Sequence, residues 1–368
     1  MHVLITTDTI GGVWTYTQEL ASGLLRRGIK VTLVSFGEIP SPEQTEWMDG
    51  LANLDFRATG FPLEWMQEGQ ADIEASQEYL RAVIAEVGPD LLHFNQYCYG
   101  AIAADLPRIV VAHSDVISWW RAVHNNDPPA TQWLQWYRRQ IQTSISAADA
   151  VIAPSRWMLE SLEEIYGKPN QGMVINNGRT PGRFNPDLPK ESLALSVGRL
   201  WDSGKQTTLL CRQDLPLEVV IAGCRDHPEP ALRNAVTVSP IPRVRLLGKQ
   251  SESQLRQLLG RASIYAATSR YEPFGLAPVE AALSRCALLM NDIPVFRELW
   301  GDAAFYFERN RGDSLRAALA QLQQDAALRH SFASRAYERA RRLFHSDRMI
   351  NEYLELYRAL AARHTVAA

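Results

Sequence analysis

Cysteine is scarce and scattered in this chain. The four cysteines, Cys98, Cys211, Cys224 and Cys286, form no CxxC pair and have no metal-ligand spacing with histidine. That excludes a disulfide framework and a zinc module, and it is the usage of a reducing compartment. No apolar run approaches the ~18 residues of a membrane-spanning helix. The chain opens directly on Val3-Leu4-Ile5-Thr6-Thr7, with no basic and apolar leader ahead of it. A cytoplasmic protein without a transmembrane segment is expected. No D-x-D occurs anywhere, so a site that holds a diphosphate through a carboxylate-bound divalent ion lacks its usual ligands; no metal is expected. GxGxxG is missing too, and the strand-like Val31–Phe36 ends in SFGE, with no acidic residue placed for a ribose. NAD binding is therefore not expected. Lysine is rare, with Arg supplying most of the 38 basic residues, so Lys205 stands out.

The composition that is present is globular: 46% hydrophobic and 9% aromatic residues. At 368 residues, the chain has room for two domains. The net charge of −3 conceals an asymmetry. Up to Pro189 there are 13 basic and 22 acidic residues; beyond it there are 25 and 19. The second half is the better host for an anion. Nothing points to nucleic acid.

Short apolar runs alternate with helical patterns. Strands are expected at Val3–Thr6, Val31–Phe36, Leu91–Asn95, Ile109–His113, Ala150–Ala153 and Met173–Asn176. The rhythm restarts at Leu193–Val197, Glu218–Ile221, Val244–Leu247, Ile264–Ala267, Ala287–Met290 and Ala304–Phe307. Such alternation implies parallel sheets covered by helices on both faces, hence two doubly wound α/β domains. The stretch NNGRTPGRFNPDLP is rich in Asn, Gly and Pro and reads as a hinge. The expected division is a first domain over 1–178, a hinge over 179–189, a second domain over 190–345, and a last helix over 346–368.

The most informative segment is EPFGLAPVE, which places Glu272 and Glu280 eight residues apart among apolar neighbours. A carboxylate among apolar residues must find partners, and sugar or ribose hydroxyls are suitable ones. Gly275 lies in a loop and Pro278 falls in the first turn of the next helix. The amides of Phe274, Gly275 and Leu276 then sit at a helix N-terminus, where a phosphate binds well. Upstream, Gly198-Arg199-Leu200 leaves a strand, with Lys205 six residues past Arg199. Arg as a fork and Lys as a point charge can clamp a pyrophosphate. Either pair alone also suits ordinary solvated charges; together they indicate a nucleotide-sugar site.

In the first half, Gly11-Gly12 follows the first strand and precedes a helix. Glycines there let backbone approach a phosphate, and they equally suit an ordinary strand-to-helix turn. His113 and, at another strand end, His93 and Asn95 fall at the edge where such sheets bind ligands. A buried structural histidine is the alternative for His113 and His93, and His93 and Asn95 are the weaker candidates. Trp14 and Trp119 are candidates to stack on an acceptor sugar, whereas Trp133 and Trp136 have helix-core spacing.

These residues resemble the family 4 retaining glycosyltransferases of GT-B fold. The resemblance runs over nearly the whole chain. It is carried by the Gly-Gly loop, AHSD, ADAVIAPS, VINNG, VGRL…K and the E-x7-E element. It implies two Rossmann-like domains facing a central cleft, with the last helix crossing back to the first domain. It also implies transfer of a hexose-type sugar from a nucleoside-diphosphate sugar, a UDP-sugar being favoured, to a hydroxyl acceptor. Arg199 and Lys205 would bind the diphosphate, Glu272 through Leu276 the sugar, and Glu280 the ribose; His113 would lie beside the reacting sugar. No metal is required. The chain departs from the family pattern in a longer Arg-to-Lys spacing, in VINNGRT without a following Asp, in AALSRCA, and in NDIPVFREL. An epimerase or phosphorylase of the same fold, or a non-catalytic nucleotide-sugar binder, remains open. A soluble acceptor is favoured, with peripheral membrane contact left open.

Overall fold

The computed structural model describes residues 1–66, 70–212, 214–227 and 242–367. The chain divides into two compact units. The first comprises Met1–Trp120, Asn126–Gly178 and Ser346–Ala368; the second comprises Arg121–Asn125 and Arg179–His345.

The first unit holds seven strands: β1 (His2–Asp8), β2 (Lys30–Phe36), β3 (Leu54–Ala58), β4 (Leu91–Phe94), β5 (Arg108–Val111), β6 (Ala150–Ala153) and β7 (Gly172–Val174). They form one parallel sheet in the order β3-β2-β1-β4-β5-β6-β7. Most are fully buried apolar runs, as strands covered on both faces must be. β3 has no counterpart in the sequence reading. Its LDFRA carries Asp55 and Arg57, and it is only half-buried at the sheet edge, where Arg57 pairs with Asp55 and Glu86. A half-buried edge strand that carries charged residues lacks the apolar signal of a central one.

The second unit holds β8 (Glu191–Val197), β9 (Glu218–Ala222), β10 (Val244–Gly248), β11 (Ala262–Ala267), β12 (Ala287–Asn291) and β13 (Phe305–Phe307). These six are again parallel, in the order β10-β9-β8-β11-β12-β13. Among its core residues are Ala194, Ile221, Ile264, Leu289 and Phe307.

In both sheets the chain starts in the middle, winds to one edge, and returns to wind toward the other. The strand order therefore reverses between β1 and β4 in the first unit and between β8 and β11 in the second. Ligands bind doubly wound sheets beyond the strand C-termini at that reversal. The loops after these four strands carry Gly11, Asn95, Arg199 and Glu272.

The last helix runs Ser346–Ala367 and belongs to the first unit. It lies against the helix Gly12–Arg26 so closely that a Cβ on Gly23 would sit 2.1 Å from Ile350 Cδ1. Met349, Ile350, Tyr353 and Tyr357 along its inner face are fully buried, as its 3.6-residue periodicity requires.

Candidate functional site

In the second unit, β8 ends at Val197 and the chain turns through Gly198. The turn is tight: the Gly198 amide donates to the Ala222 carbonyl (3.0 Å). A Cβ on Gly223 would lie 1.9 Å from the Gly198 carbonyl oxygen, so this approach requires glycine. Beyond it, Arg199 Nη2 donates to Asp202 Oδ2 at 2.6 Å, and its guanidinium stacks 5.0 Å from the Trp201 ring. Asp202 is itself held, because its Oδ1 accepts from the Gly204 amide (2.8 Å). Lys205 then points its ammonium at Glu272, with contacts of 2.7 and 2.6 Å to the two carboxylate oxygens.

The Glu272 loop is fastened to the Lys205 loop by backbone. The Arg270 amide donates to the Gly204 carbonyl (2.7 Å), and Thr268 Oγ1 donates to the Lys205 carbonyl (2.9 Å). Ser269 Oγ donates to Glu272 Oε2 (3.0 Å). Gly275, at φ +89, caps the helix Leu276–Leu283. That helix starts two residues before Pro278. Phe274 is buried, its ring edge-on to Phe344 at 5.3 Å, so only its backbone can face a ligand.

Glu280 lies one turn into this helix. Its Oε1 is 2.9 Å from Arg179 Nε, and Arg179 also donates from Nη2 to Glu252 (3.0 Å). Arg179 is 1% exposed. The sequence reading placed it in a free hinge; the structure makes it a buried counter-charge. Nothing in the local pattern signalled this, because its carboxylate partners lie far along the chain.

In the first unit, Gly11 takes φ +78 at the start of the helix Gly12–Arg26, a conformation open to glycine, and both glycines are exposed. Trp14 is 7% exposed and packs edge-on against Phe56, 6.3 Å between ring centres. Its ring belongs to the core, which argues against the acceptor-stacking expectation. Trp119 is half-buried on the helix Val116–His124 beside Trp120. β5 stops at Val111, so His113 stands two residues past the strand end, its amide donating back to the Val111 carbonyl (3.1 Å). His113 Nε2 lies 2.8 Å from Asn95 Oδ1. Asn95 also meets His93 Nε2 (3.2 Å), and His93 Nδ1 meets the Tyr357 hydroxyl (2.6 Å). Burial pushes both imidazoles down to about 3, helped at His113 by the neighbouring His93; both are neutral near pH 7. Tyr357 and Tyr16 were not anticipated as part of this group.

Among the described residues, no group of three or more His, Cys, Asp or Glu side chains could hold a metal ion. No described helix is long and apolar enough to cross a membrane.

Two family models match. "Glycosyltransferase Family 4" covers residues 10–183 and "Glycosyl transferases group 1" covers residues 188–339. The chain belongs to the family 4 glycosyltransferases. Its fold is GT-B, with two Rossmann-like domains. Among similar proteins, the alpha-maltose-1-phosphate synthase of Mycobacterium tuberculosis is 26% identical, the match covering 71% of this chain and 75% of that one. The GDP-mannose:cellobiosyl-diphosphopolyprenol alpha-mannosyltransferase of Xanthomonas oryzae pv. oryzae is 32% identical over 51% of this chain and 48% of its own. The crystal structure of Anabaena HepE in complex with UDP-glucose superposes with a TM-score of 0.76 at 17% identity, covering 98% of this chain and all of that one. This glycosyltransferase therefore has its cation-rich loops in the half that the group 1 model matches.

Proposed function

We propose that this glycosyltransferase moves a hexose-type sugar from a nucleoside-diphosphate sugar, UDP-linked in preference, to the hydroxyl of a soluble acceptor in the cytoplasm. It does so with retention of anomeric configuration and without a metal. The observation that carries the reading is the pairing of Lys205 with Glu272 beside Arg199, at the C-terminal edge of β8 and β11. Cations held by carboxylates at a strand-order reversal form a site in which phosphate oxygens can take over part of the carboxylate's role.

Arg199 and Lys205 stabilise the charge that grows on the departing nucleoside diphosphate, and this electrostatic term is the main catalytic one. Asp202 holds the Arg199 guanidinium in place. Glu272 orients Lys205 and hydrogen-bonds sugar hydroxyls; tied to an ammonium and a serine hydroxyl, it is a positioned acceptor and not a nucleophile. The Gly275 and Leu276 amides meet a phosphate at the helix start. Glu280 accepts from the ribose, and Gly11 and Gly12 leave room for backbone approach. His113 hydrogen-bonds a sugar hydroxyl. With no nucleophile assigned, the acceptor attacks from the face the leaving group vacates, and a donor phosphate oxygen takes its proton. The four cysteines are free thiols, which suits the reducing cytoplasm.

The donor base is the point on which the similar proteins differ, one being named for GDP-mannose and another solved with UDP-glucose. A thermal-shift panel of UDP, GDP, ADP and their sugars decides it. Ligand at 100 times its Kd adds about 2.7 kcal/mol to stability, and UDP is expected to give the largest shift. Transfer assayed in excess EDTA should proceed at the untreated rate. Activity lost to EDTA and restored by Mg²⁺ or Mn²⁺ would overturn the metal-free mechanism.

A further inference from the structure

Asn95 looked from the sequence like an acceptor contact. The structure gives its amide other work. Its Nδ2 donates to the Thr6 carbonyl at 2.7 Å, with Thr17 Oγ1 at 3.3 Å, and its own amide N–H donates to Thr6 Oγ1 (3.0 Å). Turning the amide over would set Oδ1 against the Thr6 carbonyl oxygen, so the β1 backbone fixes which end is which. Asn95 Oδ1 therefore faces the two imidazoles. An amide oxygen only accepts, so His113 Nε2, 2.8 Å away, carries hydrogen; His93 Nε2 faces both Asn95 Oδ1 (3.2 Å) and the Tyr16 hydroxyl (3.3 Å), and hydrogen on it satisfies both when the Tyr16 oxygen accepts.

Each tautomer is then determined. Burial keeps both rings neutral, so a ring protonated on Nε2 has its lone pair on Nδ1. At His93 that lone pair accepts the Tyr357 hydroxyl at 2.6 Å. Tyr357 comes from the last helix, 264 residues away in sequence. At His113, which is half-buried, Nδ1 makes no hydrogen bond among the described residues, and the Tyr16 ring packs edge-on with centres 4.7 Å apart.

We propose that Asn95, oriented by the Thr6 carbonyl, is a positioning residue that locks His113 in its Nε2–H tautomer and presents its Nδ1 as a hydrogen-bond acceptor. The functional half of this rests on the reading of His113 as a sugar-facing residue. The group it would meet is then a hydroxyl proton; a carbonyl or phosphate oxygen would find a lone pair there and be rejected. The Thr6 carbonyl of β1 thus sets, through Asn95, which nitrogen of His113 is left to accept.

The test is long-range proton–nitrogen correlation spectroscopy of the eight histidines in the full-length protein at pH 7, assigned by His93→Gln and His113→Gln. Both rings should show protonated Nε2 and bare Nδ1. Asn95→Leu should release the His113 ring into a mixture of tautomers and lower kcat about tenfold, the worth of one buried hydrogen bond. Tyr357→Phe should shift the His93 nitrogens and leave the His113 signature in place, because Thr6 still orients Asn95. Should Asn95→Leu misfold, Asn95→Asp keeps the shape and turns the acceptor into a carboxylate, which should raise the pH at which His113 protonates. A wild-type His113 of the Nδ1–H form, or a His113 signature unmoved in both Asn95 variants, would overturn the assignment. Wild-type turnover in His113→Ala would instead remove the sugar-facing role while leaving the tautomer result standing.

Discussion

Around Asn95 the first unit assembles amide, imidazole, phenol and hydroxyl groups, while the corresponding reversal of the second unit assembles ion pairs: Lys205 with Glu272, Arg199 with Asp202, Arg179 with Glu280. Both sets sit beyond strand C-termini in sheets wound the same way. What differs is what each can lose. A half-buried ion pair is costly to form and costly to break on one side, yet one carboxylate can be exchanged for a phosphate oxygen without leaving a cation bare. That suits a ligand carrying charge. A neutral network fixes orientation: an acceptor held by backbone dictates which nitrogen of a facing imidazole carries hydrogen. That suits recognition of hydroxyls. On the function proposed above, the difference matches diphosphate binding by the second unit and hydroxyl positioning by the first.

The largest expected effect breaks the charged side. Lys205→Ala and Arg199→Ala should each reduce transfer by ~10²-fold or more, as removal of an electrostatic stabiliser does. Lys205→Ala also strands Glu272 without its cation. Steady-state rates with saturating donor measure this; near-normal turnover in both variants would refute the diphosphate assignment.

The two glutamates divide next. Glu272→Gln should lower kcat, since it loosens Lys205 and the sugar together. Glu280→Ala should mainly weaken nucleotide binding, about tenfold for a lost charged hydrogen bond. Calorimetry with a nucleoside diphosphate separates them, and equal affinity in Glu280→Ala and wild type would remove the ribose role. Arg179→Met offers a sharper variant, since it leaves Glu280 in place without its buried partner.

On the neutral side the effect is on stability. His93 is fully buried. Unfolded, it takes a proton near the ordinary 6.5; folded, not until about 3. The unfolded state thus binds more protons across that window, and stability falls as pH is lowered from 6.5 toward 3. A difference of one whole bound proton between the two states is worth about 1.4 kcal/mol per pH unit. Denaturant midpoints measured between pH 7 and 4.5 should therefore decline, and the decline should shrink in His93→Gln. A slope that is the same in both would show that other groups dominate.

The sequence made much of this legible, for a physical reason. Parallel strands buried on both faces leave continuous apolar runs, so β1, β2, β6 and β8 stood out, and the edge strand β3 did not. Glu272 and Glu280 were visible because a helix and the loop before it set their separation locally. Arg179 and Tyr357 act through partners that the fold, not the local pattern, brings near. Asn95 was noticed at its strand end, yet its hydrogen-bond direction depends on the Thr6 carbonyl of a neighbouring strand. Strand-end chemistry is readable residue by residue; its polarity is not.

The smallest expected effect concerns the surface of the first half. If its neutral site receives the acceptor, the charge around it bears on what the acceptor is attached to. Each Lys or Arg near an anionic bilayer contributes about 1 kcal/mol to docking. Up to Pro189 this chain has 22 acidic against 13 basic residues, and its adjacent basic pairs there are Arg26-Arg27 and Arg138-Arg139. Of these, Arg27 is engaged by Asp347, and Arg138 donates to the Ile165 carbonyl. Arg26, Arg138 and Arg139 stay exposed, so it is the acidic excess of this half that favours a soluble acceptor. Co-sedimentation with phosphatidylglycerol-containing vesicles at low salt should leave the protein in the supernatant. The basic second half, with 25 basic and 19 acidic residues beyond Pro189, is the competing source of any binding, so Arg26→Glu with Arg138→Glu is the companion variant. Strong binding that weakens with salt and is lost in that variant would place the first unit on a membrane and point to a lipid-linked acceptor.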